Sequence, residues 1–314
     1  LTYLDCRSNQ LTSLDLSNNT ALTYLDCYSN QLTSLDVSQN TALTDLGCYS
    51  NQLTSLDVIN NTALTGLSCS SNQLTSLDVS QNTALTGLGC SSNQLTSLDV
   101  SNNTALTELY CSSNQLTSLD VSNNTALTIL LCNSNQVTSL DVSNNTVLFA
   151  LDCNSNQLTS LDVSNNTALT YLDCPSNQLT SLDVRNGNNQ NLLNFNVTSN
   201  PNLTCINVDD VNYSTNNWTN IDAQHYFSTN CSSPNSVQEI PHSIYLYPNP
   251  TNENVTISIE NFNGNIQTEV YDLIGNKLQT TNKTTISLRD YSKGIYILKV
   301  TYGDNFEEIK AIKD

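Results

Sequence analysis

The sequence predicts an all-β chain: a right-handed solenoid with two parallel sheets, followed by a small antiparallel β-sandwich. Three observations carry this. Cysteine recurs at positions 6, 27, 48, 69, 90, 111, 132, 153 and 174, always 21 residues apart. Each 21-residue unit is itself doubled: in LTGLGCSSNQLTSLDVSNNTA, read from Leu85, both halves follow L-x-x-L-x-[C/V]-x-x-N. After Val208 the period stops, and from residue 244 the chain becomes a set of short alternating runs.

Within each half-unit the apolar residues stand two apart, which is the period of a strand with one buried face. The Asn that closes each half, with its polar neighbours, marks the turn. Eleven residues leave little room for a helix, so each coil is expected to carry two short strands on opposite sides of a flat core. Nine regular units fill residues 1–189, and a degraded tenth copy (LLNFNVTSNPNLTCINV) completes a solenoid over 1–208. The inward side chains of one coil do not offset the entropy of ordering its backbone, so the coils must stack to fold.

Residues 209–231 hold Trp218, the chain's only Trp, with Tyr213, Tyr226 and Phe227. Bulky aromatics after a solenoid predict a capping segment over the last coil. Cys205 and Cys231 flank it off the 21-residue register. A bridge between them is the natural reading in an oxidising compartment. The nine ladder Cys each take an inward strand position and read as small buried hydrophobes, neither bridged nor metal-bound. Residues 232–243, with two Pro, read as a linker. The runs VTISIE, IQTEVYDL, TTISLRD and GIYILKVTY at 255–260, 266–273, 284–290 and 294–302 predict the sandwich over 244–314.

The nine-fold phrase resembles the leucine-rich repeat, and its doubled form resembles the bacterial nested subclass of that family. That resemblance implies a binding scaffold with a solvent-facing strand surface. The tail is similar to the type A sorting domain of the type IX secretion system of Bacteroidota. The matching residues are YPNP at Tyr247–Pro250, VYDLIGNKL at 270–278, KGIYILKV at 293–300 and IKAIK at 309–313. This resemblance implies partnership with the type IX secretion machinery through 244–314 and export across the outer membrane. Tail removal and release, or attachment to the cell surface, would follow. The chain opens on a repeat at Leu1 and contains no Met, which fits the C-terminal part of a longer precursor.

Charge narrows the partners. The 28 acids outnumber the 9 bases, for a formal net charge of -19. Residues 1–184 hold fifteen acids and a single base, Arg7, while most of the bases lie in the tail, where the Lys-bearing last strand forms a basic patch. Nucleic acid and anionic membrane surfaces are therefore excluded as partners of the repeats. No stretch has the length and apolarity of a transmembrane helix. Catalysis has no raw material either. His225 and His242 lie in the cap and linker, and no Ser or Cys has a base at a workable spacing. The expectation is a protein that is not an enzyme.

The second half of each unit barely changes, whereas the first half varies at its outward positions. Tyr3 and Asp5, then Tyr24, Asp26 and Tyr28, then Asp45 and Tyr49, crowd the first three coils. Coils four and five carry only Gly and Ser there, and Glu108 and Tyr110 restore relief in coil six. By strand alternation these side chains should all face solvent. Rigid rings with acidic neighbours suit a protein ligand such as a basic peptide, or a glycan. The expected function is binding or adhesion through this face. The alternative is a stalk that presents a domain upstream of Leu1. On the second half, Asp15, Asp36, Asp57, Asp78, Asp99, Asp120, Asp141, Asp162 and Asp183 form an outward ladder. A solvated strip bonded to Ser13- and Ser17-type hydroxyls is expected there. The alternative is a row of weak calcium sites, centred on Asp36, Asp57, Asp78, Asp99 and Asp120. Apart from calcium no cofactor is expected.

Overall fold

A computed structural model describes residues 1–231, 244–260, 262, 264–302 and 305–314. The linker read at 232–243, with His242, lies outside the described residues. The chain divides into two compact units, Leu1–Pro234 and Asn235–Asp314.

In the first unit, the first half of every coil forms a three-residue strand, and ten of these pair in parallel as one sheet from Tyr3–Asp5 to Asn194–Asn196. The register sets equivalent residues of successive coils side by side, as in Tyr3 against Tyr24 and Leu4 against Leu25. Coil five shows the inward set: Leu85, Leu88, Cys90, Leu95, Leu98 and Val100 are all buried. The equivalent residues of coils two to nine join into one continuous apolar core, and Leu4, Cys6, Leu11 and Leu14 of the first coil pack against it partly buried.

The turns are held by Asn. Asn93 Nδ2 donates to the carbonyls of Cys90 in its own coil and Cys69 in the coil before, at 3.0 and 3.1 Å. Its Oδ1 accepts the N–H of Leu74, also in the preceding coil. Asn103 repeats the pattern on the other side, donating to Val79 and Asn82. The ties thus reach back to the preceding coil. Beside each first-half Asn sits a Ser with positive φ, from Ser8 at 54° to Ser199 at 59°. A left-handed non-Gly residue is strained, and the neighbouring Asn, bonded to the carbonyls on either side, holds it in place.

The second sheet has four parallel strands, Ser160–Asp162, Ser181–Asp183, Cys205–Asn207 and Tyr226–Ser228, and so is shorter than two strands per coil would give. Upstream of it, inter-coil backbone bonds on this side shrink to one per coil, such as Gln94 N–H to the Leu74 carbonyl at 2.8 Å. The full ladder forms only towards the end where the cap contributes a closing strand. The cap also contains a helix, Val211–Asn217, absent from the sequence reading, with Asp210 as its N-cap. Trp218 is buried and stacks on Phe195 at 4.2 Å, with Phe227 packed edge-on. Cys205 and Cys231 are bridged, with 5.7 Å between their Cα atoms, as the sequence predicts.

The second unit is antiparallel throughout. A three-stranded sheet (Ile244–Tyr247, Asn254–Ile259, Thr285–Ser287) and a four-stranded sheet (Ile266–Tyr271, Lys277–Thr281, Gly294–Tyr302, Asn305–Lys313) share one core of Val255, Ile257, Val270, Leu298 and their neighbours. The strands at 244–247 and 277–281 extend the runs read from sequence. Lys313 departs from the expected basic patch: its ammonium is buried and donates to the carbonyls of Leu288, Arg289 and Tyr291. Among the described residues no helix is long and apolar enough to cross a membrane.

Candidate functional site

Parallel pairing turns the varied positions of the first face into stacks. Tyr3 lies flat on Tyr24, with ring centroids 4.5 Å apart, and Tyr28 lies flat on Tyr49 at 4.2 Å. Asp26 sits between the two stacks. Arg7 closes it from coil one, with its guanidinium carbon 5.6 Å over the Tyr28 ring, Nε 3.2 Å from Asp5 and Nη1 3.7 Å from Asp26 Oδ2. The consequence corrects the sequence reading. Asp26 points outward from its strand but is only 7% exposed, because its neighbours one coil away cover it. Its Oδ2 accepts from the Tyr24 hydroxyl at 3.4 Å, and its Oδ1 makes no hydrogen bond. Burial raises its carboxyl above the ordinary value, and the Asp5 charge adds to this; the Tyr28 backbone and Arg7 pull the other way. Burial, with the Tyr28 hydroxyl, also pushes the Tyr49 phenol up to about 12.

Next to these stacks the face drops into an open groove. Gly47, Gly66, Ser68, Gly87 and Gly89 form its floor; Tyr24 and Tyr49 stand at one side and Tyr110 at the other. Two carboxylates lean over the floor. A Cβ on Gly47 would lie 2.7 Å from Asp26 Oδ1, and one on Gly66 would lie 3.0 Å from Asp45 Oδ1. Of the nine residues read as the contact face, Tyr24, Asp26, Asp45, Tyr49 and Tyr110 line the groove together. Tyr3 and Tyr28 stand behind as stacking partners, and Asp5 holds Arg7. Glu108 accepts the Tyr110 hydroxyl at 2.9 Å. The sequence analysis did not foresee Arg7's role as the lid of Asp26. A base among otherwise uniformly acidic coils was the available signal.

The second face has a different logic. Each ladder Asp accepts, through Oδ1, the backbone N–H two residues on: Ser17 for Asp15 at 3.0 Å, Ser101 for Asp99 at 2.9 Å, Ser122 for Asp120 at 2.9 Å. Asp36, Asp57 and Asp78 do the same with Ser38, Ile59 and Ser80. The partner is the Ser17-type residue two after the Asp, and not the Ser13-type residue two before it. The Ser backbone and hydroxyl bonds hold Asp15, Asp36, Asp78, Asp99, Asp120 and Asp141 below the ordinary carboxylate value. Among the described residues no three His, Cys, Asp or Glu side chains are grouped to hold a metal ion. The Cys ladder is unbridged and, past Cys6, fully enclosed. Burial pushes the Cys27, Cys69 and Cys132 thiols up to about 12.

Residues 1–40 match the family model for leucine-rich repeats (two copies), and residues 245–314 match that for the secretion system C-terminal sorting domain. The functional domain of InlJ from Listeria monocytogenes, described as including a cysteine ladder, is 30% identical. The match covers 100% of this chain and 81% of that one, with a TM-score of 0.55. The chain belongs to the leucine-rich-repeat proteins. An internalin, InlF, from the same organism shares the fold of this repeat protein at 22% identity, over 73% of this chain and 82% of that one, with a TM-score of 0.54. YopM from Yersinia pestis shares it at 23% identity, over 66% of this chain and 65% of that one, with a TM-score of 0.52. No curated protein matches the chain. The sorting domain marks this leucine-rich-repeat protein for export by type IX secretion, to the cell surface or the extracellular space.

Proposed function

We propose that the protein is an exported adhesive binding protein, without enzymatic activity, whose protein or glycan ligand lies across the first face of the repeats. The observation that carries this reading is the groove itself. Relief and aromatic surface concentrate there, beside a buried carboxylate oxygen, Asp26 Oδ1, that has no hydrogen bond, whereas the ladder Asp of the second face bond their own turns. Rigid Tyr rings bury large area at low entropic cost, which suits them to contact.

Replacing Tyr24, Tyr28 and Tyr49 together with Ser tests this. Coil four carries Gly66 and Ser70 at the equivalent positions, so the fold tolerates small residues there. Adhesion of the labelled protein to an immobilised panel of matrix proteins and glycans should fall about tenfold or more. Ser76→Ala, Ser97→Ala and Ser118→Ala together, on the second face, should change it less than about twofold. Equal effects from both faces, or none, would make the repeats a stalk. Separately, deleting residues 244–314 should leave the protein in the periplasm of a type IX-competent host; its continued arrival outside the cell would remove the export role.

A further inference from the structure

We propose that the ligand carries a guanidinium or ammonium group, as a basic peptide does, which seats beside Tyr24 and Tyr49 against Asp26 and Asp45. This rests on the first face being the contact surface. Asp26 is the starting point. One side of its carboxylate meets Arg7 and the Tyr24 hydroxyl; the other, Oδ1, lies over Gly47 on the groove side and makes no hydrogen bond. A buried carboxylate oxygen left so is costly unless a partner arrives.

Other acids on this face are not in that condition. Asn154 and Asn196 amides donate to Asp173 at 3.1 and 2.7 Å, and Asn154 also donates to Asp152. Asp45 accepts the Thr44 hydroxyl on its Oδ2, at 2.9 Å. Among the described residues of this face, Asp26 Oδ1 is thus the one buried acceptor without a hydrogen bond, and it lies at the groove.

Arg7 shows what such a seat holds. It places a guanidinium over one Tyr and between two Asp, on the far side of Asp26. The groove side offers the same kinds of group, a Tyr and a second Asp: Tyr49 in the Tyr28 row, and Asp45, which stands in the Tyr24 row and not in that of Asp5. It has no cation of its own, because residues 1–184 contain no other base.

The floor makes room. Gly47, Gly66, Gly87 and Gly89 lie in extended strands and none has a positive φ, so the backbone does not call for glycine there. Other coils carry Tyr, Leu, Ile or Glu at these positions. Their smallness opens space over the two carboxylates.

The floor also provides the assay, since four of the chain's nine Gly lie in it. Protein labelled with ¹⁵N at glycine would be titrated with acetyl-Gly-Ser-Arg-Ser-Gly-amide, with its citrulline counterpart, and with cellopentaose. The Arg peptide should shift the Gly47 and Gly66 signals saturably, and citrulline, of the same shape without charge, should bind about tenfold more weakly or worse. Asp26→Ser, which copies Ser68 of coil four, should abolish the preference for Arg. Equal binding of both peptides, no shift with the Arg peptide, or shifts with cellopentaose alone would overturn the proposal. If the Tyr24, Tyr28 and Tyr49 variant loses adhesion while Asp26→Ser retains it, the contact face stands and the cation seat falls.

Discussion

The two faces of the solenoid are written in the same half-phrase but treat the same residue in opposite ways. On the second face Asp99 is exposed, bonds the turn that follows it and is held below its ordinary pKa. On the first face Asp26 is enclosed between two Tyr stacks and is raised above it. The difference lies in the neighbours. A Ser two residues on gives Asp99 a local donor; rings in the same and adjacent coils take water away from Asp26. Invariance on the second face therefore follows from self-sufficiency, because each Asp is part of the turn that shapes its coil. On the first face Asp5 and Asp152 make the same bond to Arg7 and Asn154, but coils with Gly, Tyr or Leu at that position form the same strand, so variety is possible there.

The largest effect that would break this comparison is in backbone protection. Cys90 and Cys111 donate to the next coil's carbonyls at 2.8 and 2.9 Å, and Val163 and Val184 do so in the second sheet at 2.9 Å. Val100 and Val121 hold the same phrase position as Val163 but lie in segments without a ladder. Their amides should exchange with deuterium about a hundredfold faster or more than the other four. Equal protection of Val100 and Val163 would show that the second ladder runs the whole length.

A smaller effect sharpens the account of the turns. Asn103 is fully buried and donates to two carbonyls of the preceding coil. Asn103→Ala should cost about 2–3 kcal/mol in denaturant unfolding, because two hydrogen bonds between coils are lost and a buried void is left, although each carbonyl keeps one backbone donor. Its neighbour Asn102 is exposed, with a single 3.2 Å bond to Ser80, and Asn102→Ala should cost less than about 0.5 kcal/mol. Similar losses would mean that the buried row is not what joins the coils.

The faces should also part company with pH. The ladder acids are lowered from 3.8, so the folded chain holds fewer protons than the unfolded one, and their stabilisation is lost as pH falls through the folded values. Asp26 and Asp152 are raised, so theirs is complete below 3.8 and is lost as pH rises through the folded values. Replacing Asp78, Asp99 and Asp120 with Asn should flatten the acid limb of the melting curve. Asp26→Asn should instead raise the melting temperature a few degrees at neutral pH and leave it unchanged at about pH 3. A change of the same sign from both variants at neutral pH would contradict the contrast. The smallest effect concerns calcium. Each ladder Asp has already committed Oδ1 to its turn, so calcium should raise the melting temperature no more than magnesium at matched ionic strength. A calcium-specific rise would reopen the ladder as a cation site.

Most of the architecture was legible because a repeat states its own rules nine times. The first-half strands and the buried Cys follow from period and alternation, and the Cys205–Cys231 bridge from two Cys that break the period, whereas the second strand expected in every coil forms only from Ser160 on. What escaped depends on contacts between coils. That Asp26 is buried follows from Tyr3, Tyr49 and Arg7 in the coils on either side, and no reading of one coil reveals it. The left-handed Ser residues escaped because Ser seldom adopts that conformation without such an Asn beside it. The cap helix escaped because VNYSTNN has no helical apolar stripe and is fixed by Asp210 and packing. Lys313 looked like surface charge, but three carbonyls converge on its ammonium.

The enclosed thiols make the order of events in oxidation matter. A thiol pushed up to about 12, such as that of Cys69, is almost never ionised at neutral pH and is shut away from any oxidant. A chain whose coils have closed therefore meets an oxidising medium with its ladder thiols past Cys6 shut away, and Cys205 pairs with Cys231. A chain that meets the oxidant while still unfolded offers eleven cysteines and a large set of wrong pairings, each of which locks two coils out of register. The ladder thus acts as a timer: coil closure has to outrun oxidation, and alkylation of ladder cysteines records which chains lost that race.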